Sequence, residues 1–117
     1  MTKERAYADF LRDMLAYAEI AEELLGDMDL ETFSSDTRTT LAVVRALEII
    51  GEAARNIPVE SRRRHPDVPW AKVVAMRNIV IHGYFGVDLE VIWKTIREDL
   101  PPLRDAVARM LDDTEAQ

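Results

Sequence analysis

From Trp70 to about His82 the chain holds Val73, Val74, Ala75, Met76, Ile79, Val80 and Ile81, which makes a helix apolar on nearly every side. This stretch constrains the fold more than any other. An amphipathic helix buries one stripe, whereas a helix apolar all round needs cover all round. The chain has 117 residues, the length of one domain with one core. In so small a body the cover comes from the centre of a helical bundle or from a second copy of the chain.

The rest of the sequence reads as helices separated by proline and glycine. Tyr7, Phe10, Leu11, Met14, Ala18, Ala21 and Leu25 recur at steps of three and four, so the first helix is expected over Lys3 to Leu25, ended by Gly26. Met28 to Ser35 reads as a loop. Ser35 or Asp36 then caps a helix to about Asn56, with Val43, Ala46, Leu47, Ile50, Ala53, Ala54 and Ile57 as its buried stripe. Pro58 to Pro69 is a connector with one helical turn near Val59–Arg64. After the apolar helix, Gly83 and Gly86 bracket a break. Asp88 caps a helix from Leu89 to about Glu98, and Asp99 caps a last one that accepts Pro101 and Pro102 in its first turn. With no strand pair, repeat or flexible linker, the expectation is a single all-α domain over 1–117. It is an antiparallel bundle of four to five helices, frayed at about 1–4 and 112–117.

Composition removes several function classes. Cysteine is absent, and the two histidines are His65 and His82. Disulfides, thiolate metal sites, a cysteine nucleophile and a histidine cage are therefore excluded. No apolar run reaches the ~18 residues of a membrane span. The start, Met1 to Phe10, is charged where a signal peptide would be apolar, so a cytoplasmic location is expected. The net charge is −7, which disfavours non-specific nucleic-acid binding. A focused basic site remains open, because 12 of the 15 basic residues are arginine, whose planar fork suits phosphate.

Three places hold candidate chemistry. Arg45, Glu48, Glu52 and Arg55 form a charged stripe, read either as a solvated ladder of pairs or as a partner-facing or site-lining face. Arg62, Arg63, Arg64 and His65 are the densest basic run, either a surface turn or a contact for phosphate or an acidic partner. The third is the apolar helix and its exit. Arg77 interrupts the stripe Trp70, Val73, Val74, Ile81 and Tyr84, and a buried arginine needs anionic or polar partners. Asn78 and His82 share another face, and Tyr84 follows. His82 near a helix end can simply bond the last carbonyls, and Arg77 can be a structural clamp. Arg77 and His82 are also five positions apart, about 140° around a helix. A helix break or a second copy of the chain is needed to bring them together. Among chemistries, metal-free RNA cleavage suits this set. The substrate supplies its own 2′-hydroxyl nucleophile, a histidine moves protons, and an arginine steadies the charge on phosphorus.

The run Arg77, His82, Gly83, Tyr84 resembles the R-x4-H-x-Y signature of HepT-like toxins, ribonucleases of the HEPN superfamily. Leu47 to Ala54, Pro69-Trp70, Arg77 to Asp88 and Asp99 to Leu103 resemble that family's blocks in order, so the likeness spans about residues 5–110. It implies a HEPN-like helical homodimer with Arg77 and His82 of both chains in an interface cleft. It implies a metal-independent endoribonuclease that needs no cofactor, acting on RNA as the toxin of a toxin–antitoxin system. His82 would be general acid or base, Arg77 the phosphate clamp and Asn78 a positioning group. The partner would be a minimal nucleotidyltransferase antitoxin that transfers AMP to Tyr84. Gly83 departs from the larger, often charged residue common there, so no carboxylate can assist from that position. A second expectation makes the chain a non-catalytic helical or nucleotide-binding partner of a nucleotidyltransferase, with Tyr84 only an AMP acceptor. A third makes it a plain dimerisation domain.

Overall fold

The computed structural model describes residues 3–82 and 88–115, with side chains over 7–78 and 88–115. Helix α1 spans Lys3–Leu25, α2 Leu30–Ser35, α3 Thr37–Arg55, α4 Val59–Arg63, α5 Trp70–His82, α6 Leu89–Lys94 and α7 Leu100–Glu115. Among the described residues there is no strand. Four long helical rods carry the body, because α6 and α7 join through a π-helical turn at Thr95–Asp99.

Helix α1 ends where expected. Gly26 takes φ +52°, a left-handed value open to glycine at little cost. The segment expected as a loop over Met28–Ser35 instead contains α2. Asp29 caps it by accepting from the Thr32 N–H at 2.8 Å, and Phe33 anchors it, fully buried. A helix this short shows no periodicity, so only its cap and one aromatic could have revealed it. Asp36 then caps α3 through the Thr39 N–H at 3.0 Å, while Thr40 Oγ1 donates to the Phe33 carbonyl at 3.1 Å. These two bonds fix the corner between α2 and α3.

The far end of the chain also departs from expectation. Asp88 caps α6 as foreseen, accepting from the N–H groups of Glu90 and Val91. Asp99 does not cap a new helix, since it lies inside the π turn and pairs with Lys72 at 2.7 Å. Pro101 and Pro102 lack N–H groups, and their rings crowd the carbonyls four residues earlier. Widening the helix there answers both problems: the Leu100 N–H reaches back to the Thr95 carbonyl. The rod continues to Glu115. Tyr7 Oη and Thr114 Oγ1 lie 3.1 Å apart, and Arg12 pairs with Glu115, so α1 and α7 hold each other.

Helix α1 packs against both α3 and α7, and α2 sits on α3 and α6. The apolar stripes of α1 and α3 meet in the core, where Leu11, Met14, Val43, Ile50, Ala54 and Ile57 are almost fully buried. Helix α5 lies against one face of this core. Its main neighbour is α3, and it buries Val73 and Met76 while Trp70 and Val74 are half-buried against the core. Gly51 sets this contact. A Cβ at position 51 would lie 2.7 Å from the Arg77 backbone nitrogen and 3.2 Å from the Val74 carbonyl oxygen. Only a residue without a side chain lets the two backbones come so close.

Candidate active site

The close approach at Gly51 brings Glu52, the next residue of α3, against Arg77 of α5. Arg77 Nε and Glu52 Oε2 are 2.9 Å apart. The Arg77 side chain is 35% exposed, so the arginine expected in the core is half-buried and meets a carboxylate. That carboxylate contacts Nε, and Arg77 has no second ion-pair partner among the described residues. The paired ends of an arginine fork suit two oxygens of a phosphate. Asn78, next along α5, is exposed. His82 is the last residue of α5. Its side chain, Gly83 and Tyr84 lie outside the described residues.

Arg77 forms one wall of a groove of about 320 Å³. Phe10 and Asp13 of α1 line it from another side, Arg45, Glu48 and Glu52 of α3 form its length, and Asn56 closes one end. The charged stripe on α3 thus splits between its two readings. Arg45 and Glu48 pair within the helix at 2.6 Å, as a ladder would. Glu52 reaches across to α5 instead, and all three side chains line the groove. Arg55 is exposed and has no ion pair among the described residues. For Glu52 the site-lining reading is the one the structure follows. The available signal was its neighbour Gly51, a glycine inside a strong helix pattern, which marks a close backbone approach.

The basic run sits on a fixed turn. Arg62 Nε donates to the Ile57 carbonyl at 3.0 Å, the His65 carbonyl accepts from Trp70 Nε1 at 3.0 Å, and Ser61 is buried. Arg63 and Arg64 remain exposed. Among the described residues no group of three or more His, Asp or Glu side chains is placed to hold a metal ion, and no helix is long and apolar enough to cross a membrane.

Comparison with known proteins gives a consistent picture. The family model described as "Ribonuclease HepT-like" matches residues 14–110. A protein of Thermococcus cleftensis named "Probable ribonuclease HepT" is 46% identical over 101 residues, which cover 86% of this chain and 92% of its own. The "Putative RNase MJ1380" of Methanocaldococcus jannaschii is 44% identical over 98 residues, covering 84% of this chain and 90% of its own. The "Putative RNase TTE0752" of Caldanaerobacter subterraneus is 41% identical over 102 residues, covering 87% and 91%. No solved structure matches.

Proposed function

The chain belongs to the HepT-like ribonuclease family, and from that premise we propose that it cleaves RNA without a metal ion, at a site completed by two protomers, as the toxin of a toxin–antitoxin pair. The observation that carries this reading is the half-buried Arg77, held at Nε by Glu52 at the wall of a groove. A guanidinium so placed is ready for a phosphodiester.

The reaction follows from the residue types. The substrate's 2′-oxygen attacks the adjacent phosphorus, forming a new P–O bond, and the P–O5′ bond breaks. One proton leaves the 2′-hydroxyl and another arrives at the departing 5′-oxygen. His82 serves as the acid or the base in this exchange. Arg77 stabilises the added charge on the pentavalent phosphorus, and Asn78 positions the phosphate or hydroxyl. The products are a 2′,3′-cyclic phosphate and a 5′-hydroxyl. Arg77 and His82 diverge by about 140° on one ideal helix, which supports a second protomer supplying the other half of each site. The all-round apolar sequence of α5 supports the same pairing.

Control by a nucleotidyltransferase antitoxin fits the chemistry of Tyr84. Transfer of AMP from ATP to its phenolic oxygen, with release of pyrophosphate, adds bulk and negative charge where an RNA phosphate must enter. The test is expression in a bacterium of the wild type beside His82→Ala, with RNA ends mapped and Tyr84 weighed by mass spectrometry when the neighbouring nucleotidyltransferase is present. Growth arrest with new cyclic-phosphate ends, absent in the variant and relieved by AMP on Tyr84, is the expected result. Normal growth and unchanged RNA from folded wild type would favour the non-catalytic partner instead, a reading to which the acidic surface lends some support.

A further inference from the structure

The groove beside Arg77 contains more chemistry than a phosphate clamp requires. Its carboxylates differ in what they are doing. Glu52 is held by Arg77 and Glu48 by Arg45. Asp13 has no ion pair among the described residues, while the adjacent Arg12 pairs with Asp9 and Glu115. Asn56 spends its Nδ2 on the Glu52 carbonyl at 2.9 Å, which leaves its Oδ1 as an acceptor. Phe10 stands three residues before Asp13 on α1, so ring and carboxylate are neighbours on one helix face. Phe10 packs on the core yet stays half-buried, with the rest of it on the groove.

We infer that this groove is a nucleobase subsite that selects guanine next to the scissile phosphate, with Asp13 reading the base edge and Phe10 contacting its ring. The inference rests on the ribonuclease reading above. The groove's carboxylates repel a second phosphate, so what enters must be the uncharged part of the nucleotide whose phosphate sits on Arg77. The volume is at the small end of ligand sites, enough for one nucleoside. An ionised carboxylate only accepts hydrogen bonds, so it selects bases by their donors. Guanine offers an imino N1–H and an amino N2–H₂ side by side, which match the two oxygens of one carboxylate. Adenine and cytosine offer one amino group each, and uracil one imino group. Reading unpaired bases by aromatic contact and Watson–Crick edge is how single-stranded RNA is generally distinguished.

The test uses the full chain and oligoribonucleotides of uridine carrying one guanosine, or one inosine, which lacks the N2 amino group. The wild type should cut beside the guanosine, and inosine should lower kcat/KM by about tenfold, the scale of one lost hydrogen bond in a built site. Asp13→Asn should bring guanosine cutting down to the inosine level, with an unchanged melting curve because Asp13 is exposed. A non-cleavable oligonucleotide with 2′-deoxyguanosine should bind His82→Ala more tightly than its deoxyinosine counterpart. Equal cutting at every position, or a guanosine preference that survives Asp13→Asn, would overturn the subsite and leave the ribonuclease reading standing. Failure of the wild type to cut any RNA would overturn both.

Discussion

Helices α3 and α5 lie side by side but use their apolar residues differently. In α3 most fall on one stripe, where Val43, Ala46, Leu47, Ile50, Ala53 and Ala54 are all buried by the rest of the chain, with Leu41 left exposed. In α5 they occur all round the helix, and among the described residues its main neighbour is α3. Val73 and Met76 are buried, Val74 and Ala75 are half-buried, and Ala71 is exposed. The apolar pattern of α3 largely matches what the chain buries, whereas that of α5 runs round the helix in the sequence. The pattern of α3 is about folding. The apolar residues of α5 flank Arg77, and their all-round pattern in the sequence is the physical ground for proposing a second protomer there.

The largest expected effect concerns α5. Arg77→Ala or His82→Ala should lower cleavage by about 10²- to 10⁴-fold, as loss of a proton-transfer or charge-stabilising group does. Thermal melting should stay close to wild type, because Arg77 is half-exposed. Stability separates the two helices next. Ile50→Ala in α3 removes a fully buried side chain and should cost about 2–5 kcal/mol in urea unfolding. Val74→Ala in α5 should cost clearly less at concentrations low enough to keep protomers apart, and approach the Ile50 value as concentration rises. Equal costs at every concentration would erase the distinction drawn above.

The seam between the helices gives the third effect. Gly51→Ala places a methyl 2.7 Å from the Arg77 backbone, so the helices must part. A loss of about 1–3 kcal/mol and weaker cleavage should appear together. Glu52→Gln is milder and more selective. Exposed pairs are worth about 0–1 kcal/mol, so stability should barely move. The kcat/KM for RNA should still fall several-fold as Arg77 loses its anchor, with partial recovery in Glu52→Asp.

The smallest effect lies outside both helices' interiors. Backbone N–H groups of Thr32 and Thr39 hold the Asp29 and Asp36 carboxyls below their ordinary range. A lowered folded pKa means that their contribution is present above the unfolded value of about 3.9 and is lost as pH falls through the folded one. Asp36→Ala should therefore lower the melting temperature slightly at neutral pH, and the difference from wild type should shrink below about pH 4.

What the sequence made legible follows the same division. Helices α1, α3 and α5 were readable because their apolar spacing, caps and stops agree, with Gly26, Asp36 and Pro69 as punctuation. Helix α2 was not, because a single turn anchored by Phe33 has no period. The junction of α6 and α7 was not, because Asp99 followed by two prolines looks like a new helix start, whereas a π turn lets the old one continue. In the site, Arg77 stood out as a charge among apolar residues. Its partner Glu52 did not, because spacing along α3 gives the same pattern for a solvated ladder and for a groove wall. Only the cross-helix contact at Gly51 separates the two.

Metal-free cleavage by transfer to the 2′-oxygen is tested most directly with the purified chain, labelled RNA and a chelator, wild type beside His82→Ala. The account predicts 2′,3′-cyclic phosphate and 5′-hydroxyl ends from the wild type in the chelator, and no cleavage by the variant. Cleavage that stops with the chelator, or that leaves 5′-phosphate ends, would contradict it.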